Sequence, residues 1–100
     1  MTSYSLGFAK YPSGVNCPID RIVSTEDDCK AASVALVLKY EGKAFSNLAS
    51  RPAGCYWKNT DSYFNKVVDP SQTSPENFGS RGGVCIYGKF VIVIEAKIFT

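Results

Sequence analysis

The sequence predicts an α+β fold in which one buried helix, at about residues 25–41, packs on a small antiparallel sheet and is held by two disulfides. Three observations lead to this prediction. A capped run of apolar residues at helical spacing lies in the first half of the chain, strand-like segments fill the second half, and four cysteines are widely spaced. At 100 residues the chain is expected to form a single domain around one core.

The helix has the clearest start signal in the chain. Ser24 or Thr25 can act as the N-cap, and the acidic residues at 26–28 place negative charge at the positive end of the helix dipole. Gly42, a residue type that commonly follows the last turn, marks the expected end. The apolar residues between these signals recur at helical spacing and define one face: Cys29, Ala32, Leu36, Val37 and Tyr40. Further apolar residues beside them widen this face, so the helix is expected to be well buried.

The second half of the chain is predicted to form strands separated by one long loop. Residues 53–58 and 62–68 are rich in aromatic and β-branched side chains and flank a short polar turn, which is typical of a hairpin. Residues 69–83 are rich in Pro, Ser, Gly and Asn, so we expect a long surface loop there. The last segment, 83–99, is strand-like, with Gly88 as a predicted bulge or bend.

The two ends of the chain are expected to add to this sheet. Residues 1–16 carry a short strand-like segment between turn-forming residues, which indicates an edge strand or an N-terminal arm. Residues 88–100 form a C-terminal strand extension. Its apolar run is typical of a strand covered on both faces, and if the domain does not cover both, a partner chain must. Five residues are therefore candidate subunit contacts: Phe90, Val91, Ile92, Val93 and Ile94.

The four cysteines favour disulfides over a metal site. Zinc ligands normally come in close pairs such as C-x-x-C, often with histidine, and the chain has neither. An even number of widely spaced cysteines suits two disulfides in a small domain from an oxidising compartment. Of the three pairings we favour Cys29 with Cys55, which would pin the helix to the core strand, and Cys17 with Cys85. The other pairings, and four reduced cysteines, remain open.

The cysteines also belong to a longer pattern. Its segments are Cys17-Pro18, Cys29-x-Ala31-Ala32, Pro52-x-Gly54-Cys55-Tyr56, Tyr63-Phe64-Asn65 and Val84-Cys85-Ile86. In this order they resemble a cysteine-rich module found in secreted and surface proteins of algae and other protists. That module has no well-defined activity, so the resemblance implies disulfides and a location outside the cell or in an organelle lumen. The strand after Gly88 extends past the usual end of the module, and no leader is visible before residue 1.

Composition argues against several function classes. Lysines and arginines are spread along the chain and the net charge is only +2, whereas nucleic-acid binding requires a basic face. The absence of histidine removes the commonest general base and metal ligand, so we expect no enzyme, metal or cofactor. No apolar run is long enough for a transmembrane helix. The segment 80–83, Ser-Arg-Gly-Gly, has the composition of an anion-binding loop but no following helix, so a phosphate site is not expected there.

We therefore expect a non-catalytic structural or interaction module that acts as a subunit of a larger assembly. An extracellular filament is one form, and the algal resemblance adds a peripheral lumenal subunit of a photosynthetic complex. The alternative is a soluble lectin-like module that binds a glycan or a peptide through Tyr56, Trp57, Tyr63 and the loop 69–83. Strand alternation sends Tyr56 and Trp57 to opposite faces, so one of them leaves the helix side. Asn65 is a further candidate contact, unless it bonds backbone at the strand end.

Overall fold

A computed structural model describes residues 2–43 and 48–94 of the chain, with backbone alone for 2–6, 43 and 88–94. Within these residues, one α-helix packs on a five-stranded sheet, which confirms the α+β prediction. The elements are β1 (Thr2–Lys10), α1 (Glu26–Ala35), β2 (Lys39–Lys43), β3 (Gly54–Lys58), β4 (Asp61–Asn65) and β5 (Arg81–Ile94). The strand order is β1-β5-β3-β4-β2. Every neighbouring pair is antiparallel except β2 and β4, which are parallel.

Helix α1 begins where the capping signal predicts. The Thr25 hydroxyl accepts a hydrogen bond from the backbone N–H of Asp28 at 3.1 Å, so Thr25 is the N-cap. One face of the helix packs on the sheet through its buried residues Cys29, Ala32 and Ser33. The opposite face is open to solvent, and the Val34 side chain on it is 81% exposed. The expectation of a helix buried beyond one stripe is therefore wrong.

The predicted helix end near residue 41 is also wrong, because α1 ends at Ala35. The N–H of Leu38 donates to the carbonyl of Ser33, and the N–H of Val37 donates to that of Val34. This pair of bonds is a Schellman motif, which stops a helix by turning one residue into the left-handed conformation. That residue is Val37, with φ of 57°. Residues beyond it form β2, so Gly42 lies in a strand and does not end the helix.

The predicted hairpin is present as β3 and β4, joined by a two-residue turn at 59–60. Strand β4 ends at Asn65, three residues before the predicted end. From there the Asn65 side chain, rather than strand pairing, bonds the backbone of residues 48–52 and of Val67. Cross-strand pairing places Cys55 opposite Phe64 and Tyr56 opposite Tyr63. The first pair faces α1 and belongs to the main apolar cluster with Val23, Cys29, Ala32 and Val84.

Both predicted disulfides are present, and they connect different parts of the fold. Cys29 with Cys55 joins the first turns of α1 to β3. Cys17 with Cys85 joins the segment that precedes the helix to β5. All four half-cystines are almost completely buried. The covalent links therefore lie inside the two apolar clusters of the domain.

The last strand is central in the sheet, with β1 on one side and β3 on the other. The predicted terminal strand is confirmed as far as Ile94, and residues 95–100 lie outside the described part. Strand β1 is an edge strand of the described sheet. For this region the sequence predicted either an edge strand or an N-terminal arm. Strand β1 pairs with β5 from Thr2 opposite Ile94 to Lys10 opposite Val84. The register shifts opposite residues 86–90, where a bulge at Gly88 was predicted.

The loop before β5 is packed onto the domain. It is shorter than predicted, because β5 begins at residue 81. It contains two short 3₁₀ turns, Pro70–Gln72 and Pro75–Asn77. Phe78 is fully buried, and the N–H of Ser74 donates to the carbonyl of Ala49 at 2.7 Å. These contacts hold the loop against the segment that leads into β3.

Candidate functional site

Tyr56 is the aromatic residue that leaves the helix side, but it does not reach solvent. Its ring stacks on that of Tyr63 with centroids 5.2 Å apart, and its side chain is 1% exposed. Burial raises the pKa of the Tyr56 hydroxyl, while the positive charges of Arg51 and Arg81 act in the opposite direction. A buried ring presents no surface to a ligand, so the structure does not support Tyr56 as a direct contact.

Trp57 lies on the other face of the sheet, where it packs against the helix-side cluster. Its indole N–H donates to the carbonyl of Tyr11 at 2.7 Å, and the ammonium of Lys10 lies 4.4 Å from the ring centroid. These contacts attach the end of β1 to β3. Because Trp57 and Tyr63 lie on opposite faces, the three predicted aromatic contacts do not form one platform.

Asn65 is fully buried, and its side chain hydrogen-bonds backbone groups, which is the alternative that the sequence left open for it. Its Nδ2 donates to the carbonyls of Leu48, Arg51 and Pro52. Its Oδ1 accepts from the backbone N–H groups of Leu48 and Val67. Such a residue organises the chain around it and has no group left for a ligand.

The candidate subunit contacts Phe90, Val91, Ile92, Val93 and Ile94 lie in β5, paired with residues 2–6 of β1. On the edge of β5 that faces away from β1, the hydrogen-bonding partners change along the strand. Residues 81–83 pair with β3, Cys85 forms a bridge with Ile22, and the Arg21 guanidinium donates to the carbonyl of Ile86 at 3.3 Å. From residue 87 to residue 94, that edge has no strand partner within the part of the chain that the structure describes.

In the ranges 2–43 and 48–94, no group of three His, Cys, Asp or Glu side chains is arranged to hold a metal ion. Every cysteine is in a disulfide. No described helix has the length and apolar character needed to cross a membrane.

No protein family model, no curated protein and no solved structure matches this chain. The resemblance to the cysteine-rich module of algal and protist proteins therefore stays an interpretation of the sequence.

Sequence reasoning missed the two arginines that lie beside Tyr56. Arg51 directly precedes the Pro-x-Gly-Cys-Tyr segment, and Arg81 lies in the Ser-Arg-Gly-Gly segment that was set aside for lack of a helix. Strand alternation offered a signal for Arg81, since it lies two residues before Gly83, which pairs with Tyr56. Nothing local in the sequence indicates that Arg51 approaches the same face.

Proposed function

We propose that the chain is a non-catalytic structural module that joins a larger assembly by strand addition at the unpaired edge of β5. The observation that carries the proposal is the run 87–94, which pairs with β1 on one edge and has no partner on the other within the described residues. A two-stranded ribbon is marginally stable in water by itself. An unpaired apolar strand edge is a ready template for another strand, and natural proteins usually protect such edges.

The partner that fits this edge best is a second copy of the same chain. The sequence around Ile92 is Lys-Phe-Val-Ile-Val-Ile-Glu, which is close to palindromic in character. If two copies of β5 pair antiparallel about Ile92, Phe90 lies opposite Ile94 and Val91 lies opposite Val93. A two-fold contact repeats each pair, so aromatic and β-branched residues meet along the whole contact. A cross-strand pair of this kind contributes about 0.2–1 kcal/mol.

The location proposed is outside the cell or in an organelle lumen. Two disulfides in a 100-residue domain are compatible with an oxidising compartment, where such bonds form and persist. A two-fold β5 contact closes a pair, so an extracellular filament requires one further contact. As a peripheral lumenal subunit of an algal photosynthetic complex, the chain would offer the same edge to another protein.

The test is the mass of the protein in solution, by light scattering across a range of concentrations. We expect a dimer of twice the 10.9 kDa chain mass. Ile92→Lys should weaken the dimer because two positive charges then meet at the two-fold centre of the contact. An equal mixture of the Ile92→Lys and Ile92→Glu proteins should restore it, because opposite charges then meet there. Val68→Lys, the same kind of change at an exposed residue after β4, is the matched control and should leave the dimer unchanged.

Two results would distinguish a failure of the proposed partner, the second copy, from a failure of the proposed function. A monomer at all concentrations, with fast exchange at those amides of 87–94 that point away from β1, leaves the edge available to a different protein and removes only the second copy. A monomer in which these outward amides are also protected would overturn the proposed function, because the edge is then covered within the chain itself.

The alternative function, a lectin-like module that binds a glycan or a peptide, has narrower support. Tyr56 is buried and Trp57 lies on the helix side, so of the predicted aromatic contacts only Tyr63 remains on the opposite face with part of its surface accessible. The basic residues around it are the specific observation in favour of this alternative.

A further inference from the structure

We propose that Arg51 and Arg81 form a binding site for an oxyanion carried by a sugar, a sulfate or carboxylate group, on the sheet face opposite α1. This proposal is independent of assembly through β5. Arg81 lies at the start of β5, away from the unpaired edge at 87–94, and Arg51 lies in the loop before β3. It gives the sheet face a ligand chemistry that the aromatic residues alone do not.

The two arginines reach the same face from separate parts of the chain. On β5, Arg81 pairs with Lys58 and Gly83 pairs with Tyr56, so Arg81 and Tyr56 are diagonal neighbours on one face. Arg51 precedes β3 in the segment whose carbonyls Asn65 binds, with its own carbonyl 3.3 Å from Asn65 Nδ2. The effect of both positive charges on the pKa of the Tyr56 hydroxyl agrees with this placement.

The guanidiniums are held in place by neutral groups. Nη1 of Arg51 donates to the carbonyl and the hydroxyl of Ser50, at 3.2 and 3.1 Å. Nη1 of Arg81 donates to the carbonyl of Phe78 at 3.3 Å. A guanidinium carries five N–H donors, so these bonds leave several on each side chain for another acceptor. The bonds fix the direction of each fork without neutralising its charge.

The local charge balance favours an anion. Within residues 2–43 and 48–94, neither Arg51 nor Arg81 forms an ion pair with a carboxylate. Lys58 adds a third positive charge on this face. Its cross-strand partner in β4 is the acidic residue Asp61. Both arginines are partly buried, and positive charge that is partly removed from water is costly unless an anion compensates it.

The stacked tyrosines point to a ligand larger than a free ion. Two guanidinium forks suit the oxygens of a sulfate or carboxylate, which they can bind in a bidentate manner. Tyr63 stacks on the buried Tyr56 and keeps part of its own surface accessible. A flat aromatic ring beside two arginines offers an apolar contact for a sugar ring and charge-assisted hydrogen bonds for its acidic substituent.

The test is calorimetric titration at physiological salt with four probes: dextran sulfate, carboxymethyl dextran, unmodified dextran and inorganic sulfate. We expect one or both of the acidic polymers to bind and unmodified dextran not to bind. Binding of inorganic sulfate without either polymer would show that the site takes a free ion and would overturn the sugar ligand. No binding of any probe would overturn the site itself.

Variants separate a built site from general attraction between opposite charges. Arg51→Gln and Arg81→Gln should each lower the affinity about tenfold or more, as expected for a lost charged hydrogen bond. Lys66→Gln removes the same charge from an exposed position elsewhere and should change it less than about twofold. Arg81→Lys keeps the charge but loses the fork, so it should weaken binding several-fold. Equal effects of all three charge-removing variants, in proteins whose thermal unfolding is unchanged, would overturn the proposal.

Discussion

Asn65 and Leu48 are joined by a reciprocal pair of hydrogen bonds. Nδ2 of Asn65 donates to the Leu48 carbonyl at 2.8 Å, and the Leu48 N–H donates to Oδ1 at 3.3 Å. The same buried amide also binds the carbonyls of Arg51 and Pro52. The Asn65 side chain at the end of β4 thus hydrogen-bonds the backbone of the segment 48–52, as a neighbouring strand would. It also fixes the backbone position from which Arg51 reaches Tyr56.

Replacement of this amide by a carboxylate is expected to destabilise the fold. In Asn65→Asp the oxygen that replaces Nδ2 would face three carbonyl oxygens in a fully buried position, which should cost about 3 kcal/mol or more of unfolding free energy. Asn77→Asp, at an exposed position, is the matched control and should stay within about 0.5 kcal/mol of the parent. Denaturant unfolding measures both. Equal effects of the two changes would contradict the role assigned to Asn65.

Val37 stores backbone strain at the end of α1. A β-branched residue at φ of 57° is a genuine outlier, and the left-handed conformation costs such a residue about 1–2 kcal/mol. We expect Val37→Gly to stabilise the protein by about 1 kcal/mol, after allowance for the greater freedom of glycine in the unfolded chain. The side chain is 87% exposed, so little packing is lost.

The matched control is Val34→Gly, the same change at another exposed valine of the same helix. There the residue has helical backbone, so glycine should destabilise the protein by about 0.5 kcal/mol. Opposite signs for the two changes, by thermal or denaturant unfolding, are the expected result. A loss of stability in Val37→Gly would show that the strain is absent.

Gly54 is required by both its conformation and its neighbours. It has φ of 69°, and a Cβ there would lie 2.5 Å from the backbone oxygen of Val23. We expect Gly54→Ala to cost about 3 kcal/mol, since overpacking adds to backbone strain. Gly14 also has positive φ, at 84°, but a Cβ there meets nothing within 4 Å. Gly14→Ala should therefore cost only about 1 kcal/mol, and equal costs by denaturant unfolding would argue against the close approach at Gly54.

The two disulfides are expected to contribute unequally. They join residues 26 and 68 positions apart, for which the loop-entropy relation gives about 3.5 and 4.4 kcal/mol. Removal of Cys17 and Cys85 as a pair should thus cost more than removal of Cys29 and Cys55, with alanine at each position. Thiol titration of the denatured protein supplies the compartment test. Four reactive thiols in protein isolated without reductant would contradict the oxidising location.

Tyr40 links stability to alkaline pH. Burial raises the pKa of its hydroxyl, and the hydrogen bond that it donates to Glu26 at 2.6 Å raises it further. The unfolded chain releases this proton near pH 10 while the folded protein retains it, so the stabilisation is complete below about pH 10 and is lost as pH rises above that value. Tyr40→Phe removes this dependence. Its unfolding free energy should fall less steeply from pH 9 to 11 than that of the parent, and parallel curves would contradict the assignment.

The sequence sufficed for the hairpin and the helix start, because their signals are local. It favoured the disulfide pairing that the structure shows but left the other pairings open. It did not suffice for the helix end. Residues 36–40 fit a helical period with Cys29 and Ala32, but they also alternate as a strand does, with Leu36, Leu38 and Tyr40 half-buried and Val37 exposed. Parallel pairing with β4, which lies much later in the chain, decides between the two. The helix also ends through a valine in the left-handed conformation, which sequence preferences do not predict for a β-branched residue.

The candidate sites show the same limit. Alternation correctly separated Tyr56 from Trp57, but it could not show that Tyr56 is buried on the face to which it turns. Likewise the apolar run 90–94 was visible in the sequence. The partner on one of its edges and the lack of one on the other follow from pairing with residues 2–6, at the far end of the chain.

The pairing of Thr2 with Ile94 also sets the order in which the fold can form. The β3–β4 hairpin closes over a few residues, so it is able to form within microseconds. Strand β5 is central in the sheet and follows the other described strands along the chain, so it is synthesised after both of its neighbours, β1 and β3. Contacts between segments so distant in sequence slow folding. During synthesis β1 is therefore made before the strand that it pairs with, and Thr2 has no cross-strand partner until residue 94 has been made.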